Sequence, residues 1–124
     1  MGADGVWDKA VAVARGEVIA TDPETGGQKG RKGEAYSLLP VDGLEEVARV
    51  YEYGSRKYAA HNWRKGYPFS WSMDALLRHV WAFVRGQDND PESGLRHLAH
   101  ACFHCLSLLT YVKTGTGKDD RYRG

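Results

Sequence analysis

The segment SGLRHLAHACFHCLSLLTYV, residues 93–112, decides the fold because it combines an apolar run with regularly spaced histidines. At about 100° per residue, His97, His100 and His104 fall within roughly 60° of arc on a helix. The apolar residues predict a buried stripe formed by Leu95, Leu98, Ala99, Cys102, Cys105, Leu106 and Leu109. Imidazoles beside such a stripe suggest a polar site between packed helices, since imidazole ligates metals, carries protons and binds phosphate. The alternative is ordinary hydrogen-bonded histidines on the surface or in the core.

Two further helices are predicted upstream of this segment. The first covers about residues 42–58 with Asp42 as its N-cap, and the second covers about 70–85 with Ser70 as its N-cap. The third begins at Glu92 or Ser93. Each of the three has apolar residues at helical spacing, so each is expected to bury one face.

The sequence therefore predicts an all-α fold, a small bundle of three main helices preceded by a short extended N-terminal arm. Residues 1–35 are assigned to that arm, in which TDPETGG forms the turn of a hairpin. Residues 36–114 are assigned to the helical domain and 115–124 to a flexible tail. Several Trp and Tyr residues fall outside the apolar stripes, so we expect a homodimer or homotetramer to complete the core.

Composition limits the classes of function. The 124 residues suit one domain, and 17 Lys and Arg against 16 Asp and Glu give a net charge of +1. That balance predicts no duplex nucleic-acid or membrane partner. The opening MGADGVWDKA lacks the apolar core of a signal peptide, and no apolar run reaches the length of a membrane span. Cys102 and Cys105 are expected to pack in the core, and a cytoplasmic location fits them.

Acidic residues near the predicted helices could join the imidazoles. Glu46 is a candidate ligand because carboxylates commonly bind Mg²⁺ and Mn²⁺, although a solvated helix face explains it equally well. His79 neighbours apolar residues and is expected to point into the bundle, as a buried hydrogen-bond partner or as a site residue. Asp88 and Asp90 alternate in the loop GQDNDPESG, which is typical of either a cation-binding loop or a capping turn.

The hexapeptide HNWRKG, residues 61–66, could contact a nucleotide. The amide of Asn62 can recognise a base edge, Trp63 can stack on a base, and Arg64 can meet a phosphate. Trp63 could equally anchor the link between two helices.

Two stretches resemble the phage dATP/dGTP diphosphohydrolase family: SLLPVDGLEEVARVYEYGSRKYAAHNWRKG and LLRHVWAFVRGQDNDPESGLRHLAHACFHCLSLL. The shared features are LP before a helix, G-x-x-KY at its end, NW-x-x-G, RH, and G-x-D-x-D-x-x-[ST]-G followed by His. The resemblance covers roughly residues 20–112 and implies removal of pyrophosphate from dGTP or dATP, in the cytoplasm of the host cell if the chain is phage-encoded. The family resembles the wider MazG-like all-α pyrophosphohydrolases, which are metal-dependent helical oligomers.

The resemblance also implies a set of site residues. Arg49 stands where the MazG-like pattern has a third Glu, and His97 and His100 take its later acidic positions. Metal ligation is expected from Glu46, His79, His97 and His100. Glu46, His79, Asp88 and Asp90 are the expected catalytic residues, Lys57, Arg64 and Arg78 the phosphate contacts, and Asn62 and Trp63 the base contacts. The metal is expected to be Mg²⁺ or Mn²⁺, with Co²⁺ or Zn²⁺ possible.

Two alternatives remain at this stage. One is a non-enzymatic helical module that binds a nucleotide or a protein. The other is a zinc-stabilised structural domain using Cys102, Cys105 and His104, which is disfavoured because His104 points away from the two cysteines on a helix.

Overall fold

Three helices form most of the fold in the computed structural model, which describes residues 18–124. Helix α1 spans Val41–Lys57, α2 spans Phe69–Val84 and α3 spans His97–Thr114. Helix α3 packs against both α1 and α2, so the histidine-bearing helix is the one that the other two share. The predicted set of three helices is confirmed, together with a small sheet near the N-terminus.

That sheet is an antiparallel hairpin of β1, Val18–Thr21, and β2, Gln28–Arg31. The turn is fixed by the Asp22 carboxylate, which accepts the backbone N–H groups of Glu24 and Thr25 at 2.8 and 2.9 Å. Gly26 supplies the positive φ of 78° that the turn requires. The predicted hairpin is thus confirmed, while the part of the predicted arm before residue 18 lies outside the described residues. A 3₁₀ helix, Tyr36–Leu38, follows, and this compact unit ends at Leu39.

Both predicted N-caps are wrong. Pro40 and Pro68 occupy the N-cap positions, so α1 and α2 each begin before the predicted cap. Asp42 instead lies in the first turn of α1, where its negative charge interacts favourably with the helix dipole. Ser70 lies inside α2, and its backbone N–H and hydroxyl donate to the Asp120 carboxylate at 2.9 and 2.6 Å. A side chain from the far end of the chain therefore does the capping that the sequence predicts for Ser70.

The predicted start of α3 near residue 93 is also wrong by about one turn. The Asp90 carboxylate accepts the backbone N–H and hydroxyl of Ser93 at 3.0 and 2.8 Å. Gly94 has φ of 75°, and Asn89 pairs with Arg96 in an antiparallel bridge. These contacts hold residues 90–96 as a turn, so helical backbone begins at His97.

The C-terminal residues are tied to the chain segment before α2. The sequence predicts a flexible tail over 115–124, whereas the Phe69 N–H donates to the Lys118 carbonyl at 2.8 Å in the structure. The approach is close at Gly66, where an added Cβ would lie 2.6 Å from the Gly117 nitrogen. We call residues 116–120 the C-terminal strap, because they hold the end of the HNWRKG segment against α2 and α3.

The interior of the three helices is small and partly polar. Its buried apolar side chains are Val47, Val50, Phe69, Ala99, Ala101 and Tyr111. Of the predicted apolar stripe on α3, only Ala99 is buried, while Cys102 and Cys105 are exposed. The buried face of α3 instead carries His97, His100 and Ser107. The predicted stripe is wrong because α3 turns its histidines and small residues towards α1 and α2. No helix within residues 18–124 has the length and apolarity needed to cross a membrane.

Candidate functional site

Four imidazoles meet where α2 crosses α3. His79 of α2 stacks on His100 with a centroid distance of 4.5 Å and an interplanar angle of 7°, and it lies 6.1 Å from His104. Its Nδ1 is 2.8 Å from Nδ1 of His97. The helical spacing of α3 places three rings on one face and α2 inserts the fourth. We call these four residues the histidine cluster.

Hydrogen bonds fix the orientation of the buried His97 ring. Its Nε2 lies 2.7 Å from the Oε1 of Gln87, which can only accept, so Nε2 carries the proton. In neutral His97 the lone pair is therefore on Nδ1. The hydrogen bond between the two Nδ1 atoms is then donated by His79. Gln87 leaves the His97 lone pair aimed at His79, as an outer hydrogen bond does for a metal-binding histidine.

Asp90 is bonded to the same cluster through Ser93. The Ser93 hydroxyl donates to Asp90 and lies 2.7 Å from His100 Nε2, so it accepts the Nε2 proton of His100. Burial opposes ionisation of Asp90, but the hydrogen bonds from Ser93 outweigh it and lower the pKa of Asp90. A carboxylate is thus ionised beside a row of imidazoles.

His79, Asp90 and His97 fit a divalent metal. Each offers a ligand atom, and these atoms lie within 4.8 Å of one another. Burial, followed by the neighbouring His100 and His97, lowers the pKa of His79 to about 4, so its ring is neutral at pH 7 and can ligate. Two imidazole nitrogens and a carboxylate oxygen favour Mn²⁺, Co²⁺ or Zn²⁺ over the all-oxygen preference of Mg²⁺.

A cavity of about 1120 Å³ opens beside the cluster. All the predicted phosphate and base contacts line it: Lys57, Asn62, Trp63, Arg64 and Arg78. The Lys57 ammonium lies 2.8 Å from the Glu92 carboxylate, which also accepts the Tyr53 hydroxyl. The Arg64 guanidinium lies 4.5 Å from the centre of the Trp63 ring and covers one of its faces. Cationic and aromatic side chains therefore share one wall with the histidine cluster.

Two predicted residues lie away from this wall. The Glu46 carboxylate is paired with Arg96, with Oε1 and Nε 2.9 Å apart, and it does not line the cavity. Asp88 is exposed, and its main-chain carbonyl accepts the backbone N–H of His97 at 2.9 Å. Of the predicted metal-binding and catalytic residues, His79, Asp90, His97 and His100 thus lie together, and the carboxylates of Glu46 and Asp88 do not join them.

Sequence reasoning missed several polar residues that hold the site. Gln87 and Ser93 orient His97 and His100, but as loop residues they have no periodic signal. Ser72 is fully buried and lies 2.9 Å from Nδ1 of His104. Ser72 stands seven residues before His79, on the same helix face among apolar residues, and this spacing is the signal that could have revealed it. Within residues 18–124, the exposed Cys102 and Cys105 form no metal-binding group with His104.

The part of the chain that contains the candidate site is similar in sequence to known proteins. A family described as dATP/dGTP diphosphohydrolase, N-terminal, matches residues 23–121. A dATP/dGTP diphosphohydrolase of Salmonella phage PMBT28 is 36% identical over 85 residues, which cover 68% of this chain and 29% of the relative. The chain therefore spans less than a third of the length of that relative. No solved structure matches the chain with significant similarity.

Proposed function

The chain belongs to the dATP/dGTP diphosphohydrolase family, and we propose that it hydrolyses dGTP or dATP to the monophosphate and pyrophosphate. The observation that carries the proposal is the group His79, Asp90 and His97, set in the wall of a cavity with cationic and aromatic side chains. The phage relative is named a dATP/dGTP diphosphohydrolase, and the family match over residues 23–121 includes every residue of the group.

In this proposal His79, Asp90 and His97 hold a divalent metal, and their donor atoms suit Mn²⁺, Co²⁺ and Zn²⁺. When bound, such an ion supplies positive charge that polarises a phosphate and acidifies a water molecule. Hydrogen bonds from Ser93 favour the ionised Asp90 carboxylate, and Gln87 accepts the proton on Nε2 of His97, which leaves Nδ1 on the side of His79. Of the other predicted ligands, His100 lies against His79, whereas Glu46 would first have to leave Arg96.

Lys57, Arg64 and Arg78 are proposed to bind the triphosphate. Arginine and lysine both form charge-assisted hydrogen bonds with phosphate oxygens, and the three lie along one cavity. Lys57 now bonds Glu92, so a phosphate would take the place of that carboxylate. Asn62 and Trp63 are the proposed base contacts, both on the 3₁₀ helix Asn62–Lys65.

A homodimer or homotetramer is proposed for the assembled protein. The outward faces of α2 and α3 carry many exposed apolar side chains: Leu77, Trp81, Val84, Leu98, Leu106, Leu109 and Val112. Apolar surface on two adjacent helices is typical of an interface. The cytoplasm of the host cell is the proposed location, since the relative is a phage protein.

The test is product analysis with purified protein, Mn²⁺ and either dGTP or dATP. We expect the monophosphate and pyrophosphate, with turnover lost in Asp90→Asn and kept in Asp74→Asn, an exposed acid on α2. Release of orthophosphate would contradict the reaction. Binding without turnover would favour a nucleotide-binding module.

A further inference from the structure

Several aromatic rings line the cavity beside the histidine cluster, and a cation already lies against three of them. The Arg64 guanidinium is 4.5 Å from the centre of the Trp63 ring. The Lys57 ammonium is 5.5 Å from the centre of the Tyr58 ring and 6.0 Å from that of Tyr53. A base that stacked on one of these rings from the same side would first have to displace the cation.

Trp71 of α2 presents an open ring face in the same cavity. It is 64% exposed and lies in the cavity wall. Its ring stacks on that of Tyr67, with centroids 5.8 Å apart and planes 18° apart, so Tyr67 covers one of its faces. Within residues 18–124, no other aromatic ring and no cation contacts the Trp71 ring. The second face is therefore available to a planar ligand.

The Trp71 ring is held in place by its neighbours. The Tyr67 hydroxyl lies 2.7 Å from the hydroxyl of the fully buried Ser72, and the Tyr67 ring meets that of the buried Tyr111 edge to face at 5.4 Å. Trp71 itself lies in the first turn of α2, and its backbone N–H donates to the Pro68 carbonyl at 3.1 Å. A ligand would thus meet a ring whose orientation is already set, which lowers the entropy lost on binding.

Helix α2 aligns Trp71 with the phosphate contacts of the cavity. Trp71, Ala75 and Arg78 stand at positions i, i+4 and i+7, so they share one helix face, and all three line the cavity. Trp71 and Arg78 are about 10 Å apart along the helix axis, a separation that suits the base and a phosphate of one nucleoside triphosphate. The small Ala75 leaves room between them for a deoxyribose. Arg78 pairs with no carboxylate within residues 18–124, so its guanidinium is available to a phosphate.

We propose that Trp71 is a further base-binding residue, on which the purine of the nucleotide stacks, in addition to the contacts from Asn62 and Trp63. The inference rests on the proposed function, which supplies the substrate class and the phosphate contacts. Because every base has an aromatic face, stacking provides affinity without choosing between guanine and adenine. This fits a relative that is named for both dATP and dGTP. Trp81, the other exposed tryptophan of α2, lies outside this cavity.

Binding of an uncleavable nucleotide tests the stacking separately from hydrolysis. Isothermal titration calorimetry with Mn²⁺ compares α,β-methylene-dGTP with inorganic triphosphate, which has phosphates but no base. Trp71→Ala is expected to weaken binding of the analogue at least about tenfold and to leave binding of inorganic triphosphate unchanged. Trp71→Phe keeps a stacking ring and should retain most of the affinity. Arg78→Gln should weaken binding of both compounds.

Trp81→Ala is the matched control, an exposed tryptophan of the same helix outside the cavity, and should keep the affinity for the analogue. Unchanged analogue affinity in Trp71→Ala, or an equal loss for the analogue and inorganic triphosphate, overturns the proposal. A loss accompanied by a change of mass in light scattering would place Trp71 in a subunit contact and overturn it too, as would no analogue binding by the unmodified protein. Trp71-dependent binding in a protein that does not turn over dGTP would overturn the proposed hydrolysis alone.

Discussion

Nδ1 of His79 and Nδ1 of His97 lie 2.8 Å apart with a single proton between them. Gln87 holds the other proton of the pair on Nε2 of His97, so the shared proton belongs to His79. A metal between the two rings would take the place of that proton, which His79 can move to its own Nε2. Ligation then changes the tautomer of His79 but not its number of protons.

Protonation of His79 is therefore expected to contribute little to any change of Mn²⁺ affinity between pH 7.5 and about 5.5. His79 has a pKa lowered to about 4, so protons compete for it only as the pH approaches that value. Isothermal titration calorimetry in buffers of different ionisation enthalpy should give the same heat at pH 7. A tenfold loss of affinity by pH 5.5, or a heat that follows the buffer, would contradict this.

Replacing Gln87 should weaken metal binding without removing a ligand. Gln87→Leu leaves Nε2–H of His97 without its acceptor, and losses of outer partners cost about 10- to 100-fold in metal affinity. Gln87→Glu keeps an acceptor oxygen and should restore most of the affinity. Mn²⁺ titration followed by electron paramagnetic resonance measures both, and unchanged affinity in Gln87→Leu would show that His97 needs no support.

Acid should destabilise the metal-free protein between pH 6.5 and about 4.5. Burial lowers the pKa of His79 and His104 to about 4, below the usual histidine pKa of 6.5. The unfolded chain therefore binds more protons than the folded chain in this range. The free energy of unfolding keeps its full value above pH 6.5 and decreases as the pH falls below it. Urea unfolding at several pH values measures the slope.

Two variants test which histidine causes the pH dependence of the free energy of unfolding. His104→Gln should flatten it, because one of the two buried rings is gone. His61→Asn should leave it unchanged, because His61 is exposed and asparagine tolerates its φ of 62°. The same slope in His104→Gln as in the unmodified protein would show that His104 is not protonated on unfolding.

The assembled protein is expected to be a dimer or tetramer. Leu109 is 66% exposed on the outer face of α3, so Leu109→Glu should convert the assembly to a 13.8 kDa monomer while keeping its helical circular dichroism. Light scattering at micromolar concentration measures the mass. Leu38→Glu, in the N-terminal unit, is the control and should not change it. A monomeric unmodified protein would remove the proposed interface.

The sequence predicts the three helices because the helical spacing of apolar residues can be read whatever covers the apolar face. It nevertheless misassigns the buried face of α3. Apolar periodicity indicates a face that avoids water, yet it does not say whether the same chain or another molecule covers it. In α3 the exposed Leu98 and Leu109 carry that signal, while the buried His97 and Ser107 contradict it. Polar residues were buried there because hydrogen-bond partners on other elements satisfy them.

The candidate site was also predicted only in part. The spacing of His97, His100 and His104 on a helix predicts their shared face, and the apolar neighbours of His79 predict its inward direction. The predicted ligand role of Glu46 depends on which neighbour a carboxylate finds, and Arg96, at the N-cap of α3, is that neighbour in the structure. Ionic pairing between separate elements has no trace in local sequence.

Gly66 and Gly117 have a consequence for how this sequence can evolve. A Cβ on Gly66 would meet Gly117, and a Cβ on Gly117 would lie 2.8 Å from the carbonyl oxygen of Tyr67. Neither position can accept a side chain while the other segment stays in place. The two glycines are 51 residues apart in the sequence. They should therefore vary together across homologues. Lineages that replace one are expected to have lost or rerouted the strap, which makes the pair a marker for its presence in sequences alone.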